Sequence, residues 1–359
     1  MNNQNDYNDN KKVTYHEQTD ISNILKLREV LKTLPPFCRD YFRAMDPVTT
    51  TNTRISYAYD IRIFFQFLLD ENPAFKNYSL KDFTVDVLDQ LKAVDIEEYL
   101  EYLKVYKNGD KTETNGERGM KRKLSALRSF YAYYFKHEFI KTNPTVLVDV
   151  PKIHDKSIIR LDPDEVALLL DHIEHCGDEL TGQKRAYYEK TKERDLAIVT
   201  LLLGTGIRVS ECVGLDVEDI DFKNNGIKIT RKGGNEMVVY FGPEVERALR
   251  QYLEVREGVT PVTGHEHALF YSTQRKRIGI QAVENLVKKY ARAITTTKKI
   301  TPHKLRSTYG TALYQETGDI YLVADVLGHR DVNTTKKHYA AMDDARRRKA
   351  ASAVHLRED

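Results

Sequence analysis

Residues 201–221 read LLLGTGIRVSECVGLDVEDID, and this stretch predicts the end of one helix and the start of another. Its leucines are typical of a buried helix, and the Gly-Thr-Gly run at 204–206 predicts where that helix ends. Arg208 then lies at the start of the next short helix. A guanidinium in such an apolar setting needs an anionic partner. Either a bound phosphate or an ion pair with Glu211 or Asp216 can supply it.

A β-hairpin is predicted directly after this stretch, in the sequence IDFKNNGIKITRKGGNEMVVYFG (220–242). Asn225 and Gly226 form a strong turn signal, and β-branched residues alternate on either side of it. Lys232 is expected on the next turn, in front of a pair of glycines. Such a flexible turn can bring the lysine ammonium close to an anionic ligand.

Two further segments carry titratable side chains at defined spacings. The segment TPHKLRSTYGTALYQ places His303 and Arg306 three positions apart, so that both side chains point to one face of a helix. The segment VADVLGHRDVNTTKKHY contains His329 and ends at Tyr339, the only tyrosine after His329. Taken individually, His303 can cap a helix, and His329 can pack at a helix C-terminus, where imidazolium meets the negative end of the helix dipole.

Together these side chains are suited to chemistry on a phosphodiester. Two guanidiniums can hold the non-bridging phosphate oxygens bidentately, and a lysine can protonate a leaving hydroxyl. Imidazoles can donate or shuttle protons. A phenol, with an ordinary pKa of about 10, can attack phosphorus if nearby cations stabilise the developing phenolate. The histidines have no third ligand of suitable spacing, so no metal is expected. This chemistry needs no nucleotide, and no other cofactor is expected.

In this order and local context, the residues resemble the catalytic signature Arg-Lys-His-x-x-Arg-His-Tyr of the tyrosine recombinases, the phage integrase family. The matching residues are Arg208, Lys232, His303, Arg306, His329 and Tyr339. Within that family, the phrases KERDLAIVTLLLGTGIRVSE, ITRKGG and TPHKLR are most similar to the Xer recombinases, in particular to the single-recombinase type XerS.

The resemblance implies a role for each of these side chains. Tyr339 is the nucleophile, and Lys232 is the general acid that protonates the leaving 5′ hydroxyl. Arg231 is the rival candidate for that acid. The resemblance assigns His303 to proton transfer involving the nucleophile, and it assigns His329 to a hydrogen bond with the scissile phosphate.

Two features depart from the usual Xer pattern. Ser307 stands where Xer proteins usually carry a second histidine, directly after the motif arginine. The tract between His329 and Tyr339 is slightly longer than the usual Xer spacing and closer to that of some transposon integrases. These departures leave the chemistry intact, but they keep an integrase of a mobile element as an alternative.

The resemblance further implies a site-specific DNA recombinase that acts through a 3′-phosphotyrosyl intermediate and a Holliday junction. The Xer likeness favours resolution of chromosome dimers at a dif-like site by one recombinase acting alone. The implied partners are a double-stranded DNA recombination site and three further copies of the chain, as a homotetramer on two DNA sites. Two other classes remain open. A type IB topoisomerase would relax supercoils without exchanging partners, and a non-catalytic DNA-binding regulator would bind without cutting.

Length and composition are consistent with a soluble two-domain protein. The chain has 359 residues, with 41% hydrophobic and 30% charged residues. No apolar run approaches the ~18 residues of a membrane span, and the Asn- and Asp-rich N-terminus does not resemble a signal peptide. The three cysteines show no C-x-x-C spacing. The interpretation is a cytoplasmic protein with reduced thiols and no membrane contact.

The pattern along the chain, together with the resemblance, predicts a mainly α fold in two domains. Several helical patterns between about 35 and 145 predict an entirely helical first half, and a helix is expected at about 193–204 in the second. Asp162 can cap the first helix of the second domain, with Pro163 at its first position and Glu165 completing a capping box. The segments are a flexible tail (1–20), an N-terminal helical core-binding domain of SAM-like type (21–148), a linker (149–160) and a mixed α/β catalytic domain (161–359).

Candidate DNA contacts are found at two helix starts of the first domain. They are Thr51, Thr53, Arg54 and Tyr57 at one start, and Lys121, Arg122, Lys123 and Ser125 at the other. Arg231 is a further candidate in the second domain. The net charge is only +3, so the distribution of charge matters more than its sum. Basic residues cluster at 118–128, 274–277 and 346–349, and each cluster taken alone favours a solvated face.

The end of the chain predicts an amphipathic helix at 343–354. Its small apolar face contains Ala345, Ala350 and Val354, and arginines lie around the other face. In the recombinases that the chain resembles, this helix docks on the neighbouring protomer. The alternative is a terminal helix folded on its own domain.

Overall fold

The computed structural model describes residues 14–154, 158–231, 234–329 and 332. The predicted general acid Lys232, the nucleophile Tyr339, the helix at 343–354 and most of the tail lie outside the described residues. The chain divides into two compact units, Met1–Asp155 and Lys156–Asp359. Within the described ranges, no helix has the length and apolar character needed to cross a membrane.

The first unit is a helical core that carries one exposed hairpin. Its elements are α1 (Tyr15–Leu31), α2 (Cys38–Ala44), α3 (Thr51–Glu71), α4 (Val87–Gln90), α5 (Ala93–Tyr102), β1 (Val105–Asn108), β2 (Lys111–Thr114) and α6 (Glu117–Lys136). Helix α3 packs against α1 and α6. Aromatic rings fill the space between the helices, with Phe64 and Tyr99 edge to face at 5.1 Å and Phe65 and Phe130 at 6.3 Å between centroids.

The prediction that the first half is entirely helical is wrong at residues 105–114. Strands β1 and β2 pair antiparallel around Gly109, whose φ of +62° lies in the left-handed region that favours glycine. Asn108 pairs with Lys111, so the two-residue loop is Gly109-Asp110, and a glycine at the first loop position is typical of a tight hairpin turn. The signal was therefore present in the sequence. In these two strands only Tyr106 is buried. The strands therefore lack the apolar alternation by which strands are usually recognised.

The second unit surrounds one small sheet with helices. Its elements are α7 (Pro163–His175), α8 (Gly182–Thr205), α9 (Val209–Gly214), β3 (Ile220–Asp221), β4 (Gly226–Thr230), β5 (Glu236–Tyr240), α10 (Pro243–Glu257), α11 (Ile280–Ile294), α12 (Pro302–Thr317) and α13 (Ile320–Leu327). The strands are antiparallel in the order β3-β4-β5, and Ile227 pairs with Val239. Helix α8 packs against α7, α10 and α12, which makes it the central helix of this unit.

Local signals located most of these elements. Pro163 occupies the first position of α7, and the backbone N–H of Asp162 donates to Glu165 Oε2 at 2.8 Å. Asn225 adopts a left-handed conformation at the predicted turn before β4. Helix α8 begins at Gly182 rather than near 193. Of residues 182–192 only Tyr188 and Thr191 are buried, so this part of the helix shows no continuous apolar stripe, and its start was missed.

Candidate active site

Arg208 is positioned by the end of α8. Gly206 caps that helix with a φ of +63°, and a Cβ on Gly206 would collide with the ring of Tyr309. Arg208 then becomes the N-cap of α9. Its backbone N–H and its guanidinium both donate to Glu211, each at 2.7 Å, and a second guanidinium nitrogen donates to the Gly328 carbonyl at 3.2 Å. The ion pair considered from the sequence is therefore present.

The Arg208–Glu211 pair is unequally exposed. The side chain of Glu211 is 4% exposed, whereas that of Arg208 is 36% exposed. The carboxylate thus fixes the guanidinium from the inside and leaves part of it accessible to solvent. An arginine held in this way can receive an external anion without first having to be ordered.

Arg306 lies deeper than Arg208, on α12. The residue is 6% exposed, and its guanidinium donates to the backbone carbonyls of Gly206 and Leu327. His303 lies one turn earlier, in the first turn of α12, and is exposed. Burial among backbone carbonyls fixes the direction of the Arg306 side chain, because a guanidinium can satisfy several fixed acceptors at once.

The last turn of α13 is the meeting point of three arginines. Helix C-termini leave carbonyl groups without intrahelical partners, and the negative end of the helix dipole attracts cations. In this helix the carbonyls of residues 325–328 accept hydrogen bonds from Arg231, Arg306 and Arg208. The backbone N–H of His329 donates back to Ala324 at 2.9 Å. The structure therefore brings Arg208, Arg306 and the backbone of His329 together at the C-terminal end of α13.

Arg231 is directed at this helix end rather than at solvent. Burial lowers the pKa of Arg231; the positive charge of Arg208 adds to this effect, and the carboxylate of Glu211 opposes it. Lys232 follows Arg231 directly in the sequence, in the loop that joins β4 to β5. The described part of the site thus concentrates three guanidiniums beside one buried carboxylate, which favours binding of an anion such as phosphate. Among the described residues, no group of His, Cys, Asp or Glu side chains could hold a metal ion.

The candidate DNA contacts at the start of α3 lie in the first unit. Thr50 is the helix cap, and its hydroxyl accepts from the backbone N–H of Thr53. Arg54 forms an ion pair with Asp46, and its Nε is buried with no hydrogen-bond partner among the described residues. Thr51, Thr53 and Tyr57 are half-buried.

The second set of candidates divides into exposed and buried members. Lys121, Arg122 and Ser125 lie on the exposed side of α6. The side chain of Lys123 is only 7% exposed, and its ammonium is 3.4 Å from the buried carboxylate of Asp60. Arg122 contacts the same carboxylate, with one nitrogen at 2.8 Å. This placement gives Lys123 a structural role, because its charge is used inside the core.

Sequence reasoning missed two participants in these clusters. Asp60 lies within an apolar helical pattern, where no local signal marks it as the partner of Arg122 and Lys123. Gly328 is not among the predicted site residues. Its left-handed conformation, φ +59°, caps α13 and presents the carbonyl that Arg208 uses. A glycine after a short apolar helix is a recognised C-cap signal, so this role could have been predicted.

Comparison with known proteins identifies the family. A sequence profile of the phage integrase family matches residues 160–346, a range that contains all six predicted catalytic residues. The tyrosine recombinase XerS of Lactococcus lactis subsp. cremoris is 32% identical over 341 residues, which cover 88% of this chain and 93% of the relative. The chain belongs to the phage integrase family. It is a tyrosine recombinase, an enzyme of site-specific DNA recombination, and the resemblance to the Xer type is confirmed.

Other phage integrase family members extend the comparison. The tyrosine recombinase XerC of Caldanaerobacter subterraneus subsp. tengcongensis is 32% identical over 348 residues, which cover 93% of this chain and 91% of the relative. The XerH recombinase bound to palindromic difH substrate superposes with a TM-score of 0.61 at 22% identity, covering 84% of this chain and 79% of that one. The Tn1549 transposon integrase in complex with circular intermediate DNA gives a TM-score of 0.60 at 22% identity, covering 84% and 94%. The predicted fold class is thereby confirmed.

Proposed function

We propose that this recombinase breaks one DNA strand at a time, with Tyr339 as the nucleophile. The phenolate oxygen attacks the scissile phosphate, a 3′-phosphotyrosyl bond forms, and the 5′ hydroxyl leaves with a proton from Lys232. A 5′ hydroxyl of the partner duplex then attacks the phosphotyrosyl bond and releases the tyrosine. The covalent bond conserves the phosphodiester energy, so the reaction needs no nucleotide. The main support is the meeting of Arg208, Arg306 and the His329 backbone at the end of α13.

The two arginines are proposed to hold the scissile phosphate. Arg208 is partly exposed and is fixed by Glu211, and Arg306 is fixed by backbone carbonyls. Donors that are already ordered stabilise the charge of the transition state without reorganising during the reaction. His303 is proposed to transfer the proton of the nucleophile, and His329 to donate a hydrogen bond to the phosphate.

The partner is proposed to be a double-stranded recombination site similar to dif. XerS and XerC relatives cover most of the chain, and the structurally similar XerH was solved on a difH substrate. The proposed role is resolution of chromosome dimers by one recombinase acting alone, which places the enzyme in the cytoplasm with the chromosome. The second candidate is an integrase of a mobile element, favoured by the longer tract between His329 and Tyr339 and by the fold shared with the Tn1549 integrase.

Strand exchange itself can be tested on a site selected from a random duplex library with the purified protein. A supercoiled plasmid that carries two direct copies of the selected site should yield two smaller circles without any nucleotide cofactor. A plasmid without the site should stay supercoiled. Relaxation of the plasmid that lacks the site would instead indicate a type IB topoisomerase, and binding without cleavage would indicate a regulator. A requirement for two unlike sites and an accessory protein would favour the mobile-element integrase.

Lys232→Ala is expected to slow cleavage of an ordinary suicide substrate by on the order of 10²-fold or more, because the leaving 5′ oxygen lacks its proton donor. A substrate with sulfur at the 5′ bridging position should restore the rate, since a thiolate leaves without a proton. Cleavage rates on the two substrates are compared for the same variant. Rescue of Arg231→Ala together with no rescue of Lys232→Ala would assign the acid to Arg231.

The active assembly is proposed to be a homotetramer on two DNA sites, coupled by the helix predicted at 343–354. Truncation after Asp344 removes that helix and should leave binding of one monomer to a half-site nearly unchanged, while cooperative dimer binding and recombination fall sharply. Gel-shift titration on half-sites and full sites measures both effects. Truncation after Val354 keeps the helix and is the matched control. Full cooperativity and full strand exchange by the shorter protein would exclude the exchange of helices between protomers.

A further inference from the structure

Arg231 connects two parts of the second unit that are far apart in the sequence. It follows strand β4 directly, and its guanidinium donates to the carbonyl of Val326 at 2.7 Å and to that of Asp325 at 3.3 Å. These carbonyls belong to the last turn of α13. The side chain therefore joins the β4–β5 hairpin to the helix end where Arg208 and Arg306 also bind.

The guanidinium of Arg231 packs closely against the backbone of Gly328. A Cβ on Gly328 would overlap the guanidinium of Arg231, so this side chain lies directly against the glycine backbone. The Arg231 Nε is buried and has no hydrogen-bond partner among the described residues. Burial of a cation with one unsatisfied donor is unfavourable by itself. The two carbonyl bonds and the helix dipole offset this cost and hold the side chain at the helix end.

The backbone of Arg231 also closes the loop that carries Lys232. Its N–H donates to the Asn235 carbonyl at 2.8 Å, and its carbonyl accepts from the Gly234 N–H at 3.0 Å. Gly234 has a φ of +82°, which marks a tight turn. The C-terminal end of the loop, Gly234 and Asn235, is thus bonded to Arg231 at its start, and the Arg231 side chain fixes the base of the loop to α13. Lys232 is the next residue in the chain after Arg231.

We propose that Arg231 is a positioning residue that anchors the β4–β5 loop to the end of α13. In this way it sets the position of Lys232 relative to Arg208 and Arg306. The proposal rests on the proposed role of Lys232 as general acid. Arginine is suited to this task because its planar fork reaches two carbonyls at once, which a lysine ammonium on a flexible stem does not do with the same geometry.

The test measures cleavage by full-length Arg231→Ala on the ordinary suicide substrate and on the substrate with a 5′ bridging sulfur. On the ordinary substrate the variant should be slower by on the order of 10²-fold, the effect of displacing a catalytic group by about 1 Å. On the sulfur substrate it should match the unsubstituted protein. The double variant Arg231→Ala/Lys232→Ala should be no slower than Lys232→Ala alone.

Two further variants test whether Arg231 acts as an anchor or only as a positive charge. Arg231→Lys keeps the charge but loses the fork, so it should cleave as slowly as Arg231→Ala. Lys228→Ala removes an exposed lysine from the same hairpin, where it pairs with Glu236 at 3.0 Å, and should keep the full rate. An equal loss of cleavage rate for Arg231→Ala on both substrates, or a full cleavage rate for Arg231→Lys, would contradict the anchoring role of Arg231.

Hydrogen exchange tests the anchor independently of catalysis. Arg231→Ala should speed exchange in peptides that cover 229–240 and 320–329, and it should leave the rest of the second unit unchanged. Unchanged exchange in both peptides would overturn the anchor. Failure of the sulfur substrate to rescue Lys232→Ala would instead overturn the assignment of Lys232 as general acid. Hydrogen exchange would then still test whether Arg231 anchors the loop to α13.

Discussion

Tyr339→Phe is expected to bind the selected DNA site with unchanged affinity and to form no covalent complex on a nicked suicide substrate. Phenylalanine keeps the ring but lacks the oxygen that attacks phosphorus. Tyr339 is the only tyrosine after His329, so no neighbouring tyrosine in that segment can replace it. The covalent product is measured as a protein–DNA band that survives denaturation.

The matched control for this variant is Tyr321→Phe. Tyr321 lies on α13 and is 71% exposed, so loss of its hydroxyl leaves the fold and the proposed chemistry intact. This variant should form as much covalent product as the unsubstituted protein. Persistent covalent product with Tyr339→Phe would show that another residue is the nucleophile.

Arg306→Ala should lower the rate of cleavage by on the order of 10²-fold or more, which corresponds to about 3 kcal/mol of transition-state stabilisation. It also leaves the buried carbonyls of Gly206 and Leu327 without their guanidinium donor, at a cost of about 1–3 kcal/mol for each unsatisfied group. Thermal unfolding should therefore shift to lower temperature. Cleavage is measured well below that temperature, so that the loss of rate refers to folded protein.

A structural arginine separates these two effects. Arg256 donates to the carbonyls of Glu266 and Ala268, outside the proposed site. Arg256→Ala should destabilise the second unit but cleave at the normal rate while folded. Arg208→Lys keeps a cation beside Glu211 but loses the bidentate geometry, so it should be slow in cleavage with little change in stability. A normal cleavage rate for Arg306→Ala would show that Arg306 does not hold the scissile phosphate.

Much of the fold could be predicted because its signals are local. The capping residues around Pro163, the turn at Asn225-Gly226 and the helical spacing in α12 each depend on a few adjacent residues. The hairpin at 105–114 was missed even though the signal of its Gly109-Asp110 turn is also local. Its strands are almost entirely exposed, and the stronger helical patterns on both sides of it dominated the interpretation.

The sequence by itself determined the family, the order of the candidate catalytic residues and most element positions, since these depend on residue types and short spacings. Only the tertiary structure decided the long-range contacts of the cationic side chains. Arg306 meets the Gly206 carbonyl, Lys123 turns inward to Asp60, and Arg231 reaches across to α13. Such partners lie far apart in the sequence. Every residue has a backbone carbonyl, so the residue type does not show which carbonyl accepts the hydrogen bond. Their pairing is therefore set by how the helices pack, because most buried donors and acceptors are paired in a folded protein.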